Sequence, residues 1–343
     1  MKKSRKRTAD LLKGVAVILM IQVHLIELFA QQQLFDSYWG SILLFFGGPP
    51  AAPVFMTVMG YFIAKGNSNI SKSVIRGLKL IGGGLLLNLG LNFHLFIKIY
   101  NHTIVASPWP YLFGVDILFL AGLSIIFLAI FKKAAKNNPI LYGIIIIIII
   151  FVIQQLPYPT GLGFMSYIDA FFHGNVWWSY FPLIPWLAYP VIGYLFYLLE
   201  PKITTYIKKQ YLKIILIIAT GVILVFSIGY GIEISANLHA YYHHDFVFYL
   251  FVLNFMIFWT FLFKKIASFS SNFVTKFIEW IGKNVTVIYV IQWLIIGNIA
   301  TGLYKTQDGF QLVLWFFAIV ISTSFLTLLY TKVKVVVFKP TVK

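Results

Sequence analysis

The sequence contains no cysteine, and only 10 of its 343 residues are acidic. The lack of cysteine excludes disulfide bonds, thiolate zinc sites and a cysteine nucleophile, although it says little about the compartment. Charged residues of either sign make up 11% of the chain, whereas 60% of it is hydrophobic and 18% is aromatic. A water-soluble fold of this size could not cover so much apolar surface, so the composition indicates an integral membrane protein.

About ten apolar runs divide the chain, and each is long enough, or nearly so, to cross a hydrocarbon layer about 30 Å thick as a helix. The runs lack the short alternating pattern of outer-membrane barrel strands, which favours helices. We therefore predict an all-α polytopic membrane bundle that forms one domain over residues 1–343. The predicted spans are residues 11–30, 41–64, 77–97, 111–131, 139–154, 180–199, 211–229, 246–263, 281–300 and 309–330.

The formal charge of +17 is unevenly placed along the chain. If the amino terminus is cytoplasmic, every Lys and Arg except Lys98 and Lys305 lies on or near the cytoplasmic side of the predicted spans. The positive-inside rule predicts this asymmetry, so we interpret the basic excess as topology, with both termini in the cytoplasm, and expect no nucleic-acid partner. Asp10 and Lys13 interrupt the start of the first run and no small-residue cleavage site follows it, so we predict an anchor of a multi-pass inner-membrane protein rather than a cleaved signal.

Two long connections, residues 155–179 and 230–245, lie on the outer side in this topology. Long ordered loops are more often functional than short ones. Trp177 and Trp178 in the first of them are interpreted either as part of an interfacial aromatic belt or as a platform on which a sugar stacks. His243, His244 and Asp245 are adjacent in the second, which is poor chelate geometry for zinc, so we predict no metal site.

The first predicted helix carries the most informative polar residues. Lys13 and His24 are 11 residues apart, which places both on one face and about 16.5 Å apart along the axis. A lysine at the cytoplasmic mouth suits the phosphates of a long-armed donor, and a histidine near its reactive end suits a general base. Glu27, three residues later, could orient the imidazole. The alternative is that Lys13 snorkels to lipid phosphates and pairs with Asp10, while His24 only hydrogen-bonds inside the bundle.

Four further polar side chains have compatible depths in other predicted helices. They could line one cavity with His24, where they would hold an acceptor or stabilise an oxyanion. The amides could equally be interhelical hydrogen-bonding groups. The four candidates are Asn88, Asn92, Asp116 and Gln292.

Two irregular segments interrupt the apolar runs. We interpret Gly82-Gly83-Gly84 as a site of close helix packing, and Pro49 and Pro50 as a kink in the second span.

Several segments resemble the membrane acyltransferases grouped around the acyltransferase-3 family and the heparan-α-glucosaminide N-acetyltransferase family. RTADLLKGVAVILMIQVH (7–24) is similar to their first-helix signature, in which an arginine precedes a catalytic histidine by ten intervening residues; Lys13 takes the arginine position here. AAPVFMTVMGYFIAK (51–65) resembles their second helix. GVDILFLA (114–121) and YFPLIPWLAYPVIG (180–193) are similar to the glucosaminide-type branch. IGKNVTVIYVIQWL (281–294) resembles a motif that often has histidine where this chain has Gln292.

The resemblance implies an acyl-CoA co-substrate loaded from the cytoplasm, no tightly bound cofactor, and transfer of the acyl group to a hydroxyl or amine of an envelope glycan. It gives His24 the catalytic role, as general base or transient acyl carrier, and makes Lys13 a residue that binds the acyl-CoA donor. Lys79 and Lys283 are then further candidate phosphate contacts, and Asp116 joins His24 and Glu27 as a candidate catalytic group. Two other functions stay open: a transporter or flippase of a lipid-linked glycan, with the polar residues as its path, and an inactive acyltransferase-like membrane protein.

Overall fold

The protein is described here by a computed structural model that covers residues 7–66, 68–152, 155, 157, 163–269 and 271–337. The basic residues at positions 2, 3, 5, 6, 339 and 343, and residues 153 and 154 of the fifth predicted span, lie outside the described residues. The first part of the chain forms α1 (Arg7–Leu28), α2 (Gln32–Phe35), α3 (Tyr38–Gly47), α4 (Ala52–Lys65), α5 (Ile70–Leu91), α6 (Phe93–Tyr100), α7 (Trp109–Leu112), α8 (Ile117–Ala135) and α9 (Pro139–Ile147), which has a π-helical end (Ile148–Val152).

The remainder is helical as well. It forms α10 (Met165–Phe172), α11 (Leu183–Trp186), α12 (Ala188–Ile207), α13 (Gln210–Ala236), α14 (Leu238–Tyr242), α15 (Phe246–Phe269), α16 (Phe273–Lys283), α17 (Val285–Leu303) and α18 (Gly309–Val337). Within the described ranges, nine helices are long and apolar enough to cross a membrane, with α3 and α4 counted as one and α11 and α12 as another. The predicted all-α polytopic membrane bundle is confirmed.

The fifth predicted span is shorter than the other nine. It has nine α-helical residues followed by five π-helical ones, or about 21 Å at 1.5 Å per residue. Near its start, Tyr142 stacks on Tyr194, whose hydroxyl donates to Asn137 in the loop after α8. Near its end, Phe151 stacks on Phe246, the first residue of α15. The short helix therefore runs between the same two levels as its longer neighbours.

We call the two levels the basic end and the far end. The basic end contains Arg7, which bonds to the carbonyl oxygen of Ala267 and to Glu279, and Lys132, whose Nζ donates to the carbonyl oxygen of Gly66. The far end contains Leu28, whose carbonyl oxygen accepts the amide of Lys305, as well as the loops around residues 115, 181 and 242. A cytoplasmic location for the basic end stays a prediction of the charge pattern.

Some boundaries differ from those predicted. The second span is interrupted after Gly47, because two prolines without amide hydrogens follow Gly48, and it resumes as α4 at Ala52. The connection at 230–245 is mostly helical, since α13 continues to Ala236 and α14 follows. The ninth span begins at Val285 rather than at 281, because residues 273–283 form the separate helix α16, which the sequence did not lead us to predict.

Two helix crossings bring backbone against backbone. A Cβ atom at Gly282 in α16 would overlap the carbonyl oxygen of Asp10 in α1, and one at Gly14 would overlap the carbonyl oxygen of Ile278. Only glycine permits so close an approach. By contrast, a Cβ at Gly82 or Gly83 would meet no heavy atom within 4 Å, so the predicted close packing is wrong for those two residues; at Gly84 it would lie 3.0 Å from Phe119.

Candidate active site

The far end of α1 is fixed to the turn between α17 and α18. The backbone amide of Lys305 donates to Leu28 O at 3.0 Å, and that of Gln307 donates to Phe29 O at 2.8 Å. Gln31 in turn donates to Gln307 O at 2.8 Å. These three hydrogen bonds hold the last turn of α1, which carries His24 and Glu27, in one position relative to α17.

His24 lies against α17, with its ring on the indole of Trp293. The ring centroids are 4.0 Å apart and the planes are inclined by 34°. The Nδ1 atom of His24 is buried and has no hydrogen-bond partner among the described residues. A buried ring nitrogen that lacks a partner is costly inside a membrane, so this one is placed to exchange a proton or to bind a small ligand group.

Gln292 immediately precedes the indole that contacts His24. Its side chain is fully buried, and neither its amide nitrogen nor its amide oxygen has a partner in the described part of the chain. Each such group costs on the order of 1 to 3 kcal/mol. At the far end, α1 and α17 therefore each place buried polar atoms that have no hydrogen-bond partner among the described residues. This arrangement is expected where a polar substrate or water is to be held.

Asp116 is linked to the same face of α17. Its Oδ1 caps α8 by accepting the amide of Leu118 at 2.8 Å, and its Oδ2 accepts the hydroxyl of Tyr289 at 3.2 Å. Tyr289, Gln292 and Trp293 follow one another at i, i+3 and i+4 and so share one side of α17. The structure thus connects three predicted residues, His24, Asp116 and Gln292, through that side.

Glu27 is not hydrogen-bonded to Nδ1 of His24, since that atom has no hydrogen-bond partner among the described residues; an orienting role for Glu27 stays a prediction. Its side chain lies near the Tyr242 hydroxyl and within electrostatic range of Lys305. Tyr180 and Tyr241 also lie within electrostatic range of the Glu27 carboxyl group. Glu27 therefore belongs to a tyrosine-lined region on the same helix as His24, formed by the loop that precedes α11 and by the end of α14.

Asn88 and Asn92 use their amide nitrogens to hold the loop that leads to Asp116. Asn88 Nδ2 donates to Leu112 O at 3.0 Å and Gly114 O at 2.8 Å. Asn92 Nδ2 donates to Asn88 O and to the carbonyl oxygen of Tyr111. These bonds fit the interhelical hydrogen-bonding interpretation of both residues and position Asp116.

The two tryptophans lie at the rim of the far end. Trp177 is 56% exposed and makes an edge contact with Tyr111 at 5.4 Å between centroids. Trp178 is half-buried, stacks on Tyr167 at 5.2 Å, and accepts the amide of Val115 at its backbone oxygen. Their position beside the Asp116 loop suits either an aromatic belt or a sugar platform.

At the basic end, Lys13 Nζ lies 3.1 Å from Asp10 Oδ1, and both side chains are largely buried. Lys283 is exposed and follows Gly282 at the contact with α1, which brings it to the same end as Lys13. Lys79 is exposed on α5. On the face between Lys13 and His24, Met20 is 6% exposed and packs in the main core.

The tertiary contacts add Trp293 and Tyr289, which our sequence reasoning missed. An aromatic residue in an apolar helix carries no local signal that separates packing from function, and the partner of each lies on another helix. The indole of Trp293 contacts a residue 269 positions earlier in the chain, and the Tyr289 hydroxyl bonds one 173 positions earlier.

Residues 5–222 match the family model described as heparan-alpha-glucosaminide N-acetyltransferase, catalytic. The matched range is more than half of the chain and includes Lys13, His24 and Asp116; Tyr289, Gln292 and Trp293 lie beyond it. Neither the comparison with curated proteins nor that with solved structures gave a significant match.

Proposed function

The chain belongs to the family of heparan-alpha-glucosaminide N-acetyltransferase catalytic domains, and from that premise we propose that it is a membrane acyltransferase. It takes an acyl group, acetyl in the simplest case, from acyl-CoA on the cytoplasmic side of the inner membrane. It transfers this group to an amine or hydroxyl of an envelope glycan on the other side. The observation that carries the proposal is the buried Nδ1 of His24, which lies within the matched range and has no hydrogen-bond partner in the part of the chain that the structure describes.

The imidazole of His24 removes the proton from the acceptor nitrogen or oxygen while that atom attacks the thioester carbonyl carbon. A bond from carbon to nitrogen or oxygen forms, and the carbon–sulfur bond breaks as the tetrahedral intermediate collapses. The CoA thiolate leaves and receives the proton that the imidazolium holds. If His24 carries the acyl group transiently, the same bonds change in two successive transfers.

The oxyanion of the intermediate needs a hydrogen-bond donor that is already desolvated and oriented. The amide nitrogen of Gln292 is such a donor, because it is buried and has no partner in the described part of the chain. Asp116 holds Tyr289 on the same side of α17 and so fixes that side relative to α8. In this scheme Gln292 contacts the reacting group, and Asp116 acts through Tyr289.

The donor arm has to pass between the Lys13 level and His24, about 16.5 Å apart along α1. Met20 occupies that face and is packed in the core. A methionine has three rotatable bonds and can adopt another rotamer without disturbing α1. We therefore propose that the arm displaces Met20, with Lys13, Lys79 and Lys283 near the phosphates. Met20→Trp should then raise the KM for acyl-CoA, whereas Met20→Ala should leave it unchanged or lower it.

The deciding experiment supplies radiolabelled acetyl-CoA to inside-out membrane vesicles and measures label on glycans inside them. Wild-type, His24→Ala and His94→Ala proteins are compared at equal amounts. His94 is a matched control, since it also lies beside α17 but its Nδ1 is within 3.0 Å of the Asn298 backbone oxygen. We expect His24→Ala to lose about 10² to 10⁴ in rate, the usual contribution of a general base, and His94→Ala to stay active.

Equal labelling by wild type and His24→Ala above an empty-vector control would refute the role of His24. No labelling by the wild type with acetyl, succinyl or longer donors, together with movement of unmodified glycan across the vesicle membrane, would replace the acyltransferase with a transporter. No labelling and no movement would indicate an inactive member of the family.

A further inference from the structure

The immediate surroundings of His24 contain an aromatic face where a carboxylate would ordinarily be expected. An imidazole that acts as a base is commonly held by an acidic group on its other nitrogen, which also stabilises the cation that forms. Here Nδ1 has no hydrogen-bond partner in the described ranges, and Glu27 lies near Tyr242 and within electrostatic range of Lys305. Hydrogen bonding through Nδ1 therefore does not fix the ring of His24.

The contact that does hold the ring is the stack on Trp293, with centroids 4.0 Å apart. An indole is the strongest of the aromatic side chains in cation–π contact, and the interaction grows when both groups are removed from water. A protonated imidazole at this depth has few other means of stabilisation, because a charge inside the membrane is expensive. The two planes are inclined by 34°, so the contact is tilted rather than parallel, and the short distance between the centroids brings the imidazole against the indole.

The helix that carries the indole, α17, is packed closely against α5. A Cβ at Gly297 would lie 2.6 Å from Leu91 O, so the helices are in close contact there. The amide nitrogen of Asn298 donates to Gly90 O at 2.8 Å. One turn before the indole, Tyr289 is bonded to Asp116 of α8. The position of Trp293 is thus set by contacts on both sides of it.

We propose that Trp293 is a positioning residue for His24: its indole face orients the imidazole and stabilises the imidazolium that forms during transfer. This inference rests on the proposed acyltransferase function. It also assigns a part in the site to the segment beyond residue 222, where the family match ends. The residue does not touch the substrate in this scheme and acts only through His24.

The first test compares Trp293→Leu, Trp293→Phe and Trp259→Leu in the vesicle assay. Trp259 is a matched control, since it also lies in an apolar helix and stacks on phenylalanine, with 5.3 Å between its centroid and that of Phe255. We expect Trp293→Leu to lower kcat about 30-fold, the factor that corresponds to a desolvated cation–π contact, with the KM for acyl-CoA within about twofold. Trp293→Phe should recover most of the loss, and Trp259→Leu should keep the wild-type kcat.

The second test does not depend on turnover. The histidine rings are isotopically labelled, and the His24 signals are assigned by their loss in His24→Gln. We expect the ring protons of His24 to be shifted upfield by the indole in the wild type, to remain shifted in Trp293→Phe, and to return to ordinary positions in Trp293→Leu. Should Trp293→Leu not fold, Trp293→Met, whose unbranched apolar side chain adapts to irregular gaps, replaces it in both tests.

The outcomes separate this inference from the function it rests on. An active wild type with an unchanged kcat in Trp293→Leu would overturn the role of Trp293 and leave the acyltransferase in place. A wild type without the upfield shift would show that the rings do not stack, whatever the activity. A wild type that transfers no acyl group from any donor would overturn both, even if the upfield shift is present.

Discussion

The polar side chains at the two ends of α1 differ in whether they have partners. At the basic end, Arg7 is paired with Glu279 and Lys13 with Asp10, and the backbones of α1 and α16 touch. At the far end, His24 and Gln292 keep buried polar atoms without hydrogen-bond partners among the described residues. Paired charges and close backbone packing stabilise a fold, whereas unsatisfied groups lower its stability. The contacts of α1 at the basic end therefore stabilise the fold, whereas the unsatisfied groups at the far end, where chemistry is proposed, lower its stability.

The largest effect should come from the crossing at the basic end. In Gly282→Ala the new Cβ would overlap the carbonyl oxygen of Asp10, which belongs to the backbone and cannot rotate away. We expect a loss of at least about 3 kcal/mol in the free energy of unfolding. Gly83→Ala, whose Cβ meets nothing within 4 Å, is the control and should be neutral or stabilising by up to about 1 kcal/mol. Thermal unfolding in detergent measures both, and equal midpoints would contradict the crossing.

The next effect separates stability from donor binding at Lys13. Lys13→Ala leaves Asp10, whose side chain is only 3% exposed, without the partner seen at 3.1 Å, which should cost about 3 kcal/mol. The double variant Asp10→Asn, Lys13→Ala should recover much of that stability, because the carboxylate that lost the Lys13 ammonium is removed as well. It should not recover CoA affinity, measured by equilibrium binding, whereas Lys13→Arg should retain both. Equal CoA affinity in all four proteins would reduce Lys13 to a structural residue.

At the far end, Gln292→Leu should have the reverse effect on stability. The substitution keeps a similar volume and removes two buried polar atoms that have no partner among the described residues, so the free energy of unfolding should stay the same or rise by about 1 kcal/mol. The transfer rate should fall about 100-fold, as when one oxyanion donor is lost. A protein that loses stability and keeps its rate would mean that Gln292 is a packing residue.

The smallest effect concerns the loop beside Glu27. Burial lowers the pKa of His244 from 6.5 to about 4, and burial together with neighbouring histidines lowers the pKa of His243 to about 4. Below pH 6.5 the unfolded segment binds more protons than the folded one, so local stability falls as the pH drops from about 6.5 to about 4. Protonation of His244 also prevents Nε2 from accepting the Tyr189 hydroxyl, 2.9 Å away.

Hydrogen exchange at pH 7.5 and 5 measures this change. Residues 238–245 should lose protection at the lower pH more than α16, which contains no histidine. In His244→Asn the difference between the two pH values should shrink. A uniform loss across both segments would contradict a local effect at the far end.

The sequence predicted where along the chain the membrane helices lie, because an apolar run of sufficient length has one stable state in lipid. The ends of several helices differ from the prediction by six to eight residues, as at Ile70–Leu91 and Gln210–Ala236. It failed for α16, where Lys276 and Glu279 interrupt the apolar residues and only one side packs on α1. It also failed for Gly82 and Gly83, since a glycine run has the same appearance whether or not another helix lies against it. His24 could be selected because a histidine is rare and costly in a membrane helix.

The sequence by itself determined that this is a helical membrane protein, because that depends on composition. It also determined that Lys13 and His24 share a face, because that depends on the period of a single helix. The pairing of Lys13 with Asp10 is local, at i,i+3 on α1, and the sequence already offered it. Tertiary structure alone decided that Asp116 is hydrogen-bonded by Tyr289, 173 positions later in the chain. It alone also brought Trp293 onto His24. The period of a helix tells which residues share its face, whereas the residues that meet that face are fixed by how distant helices pack.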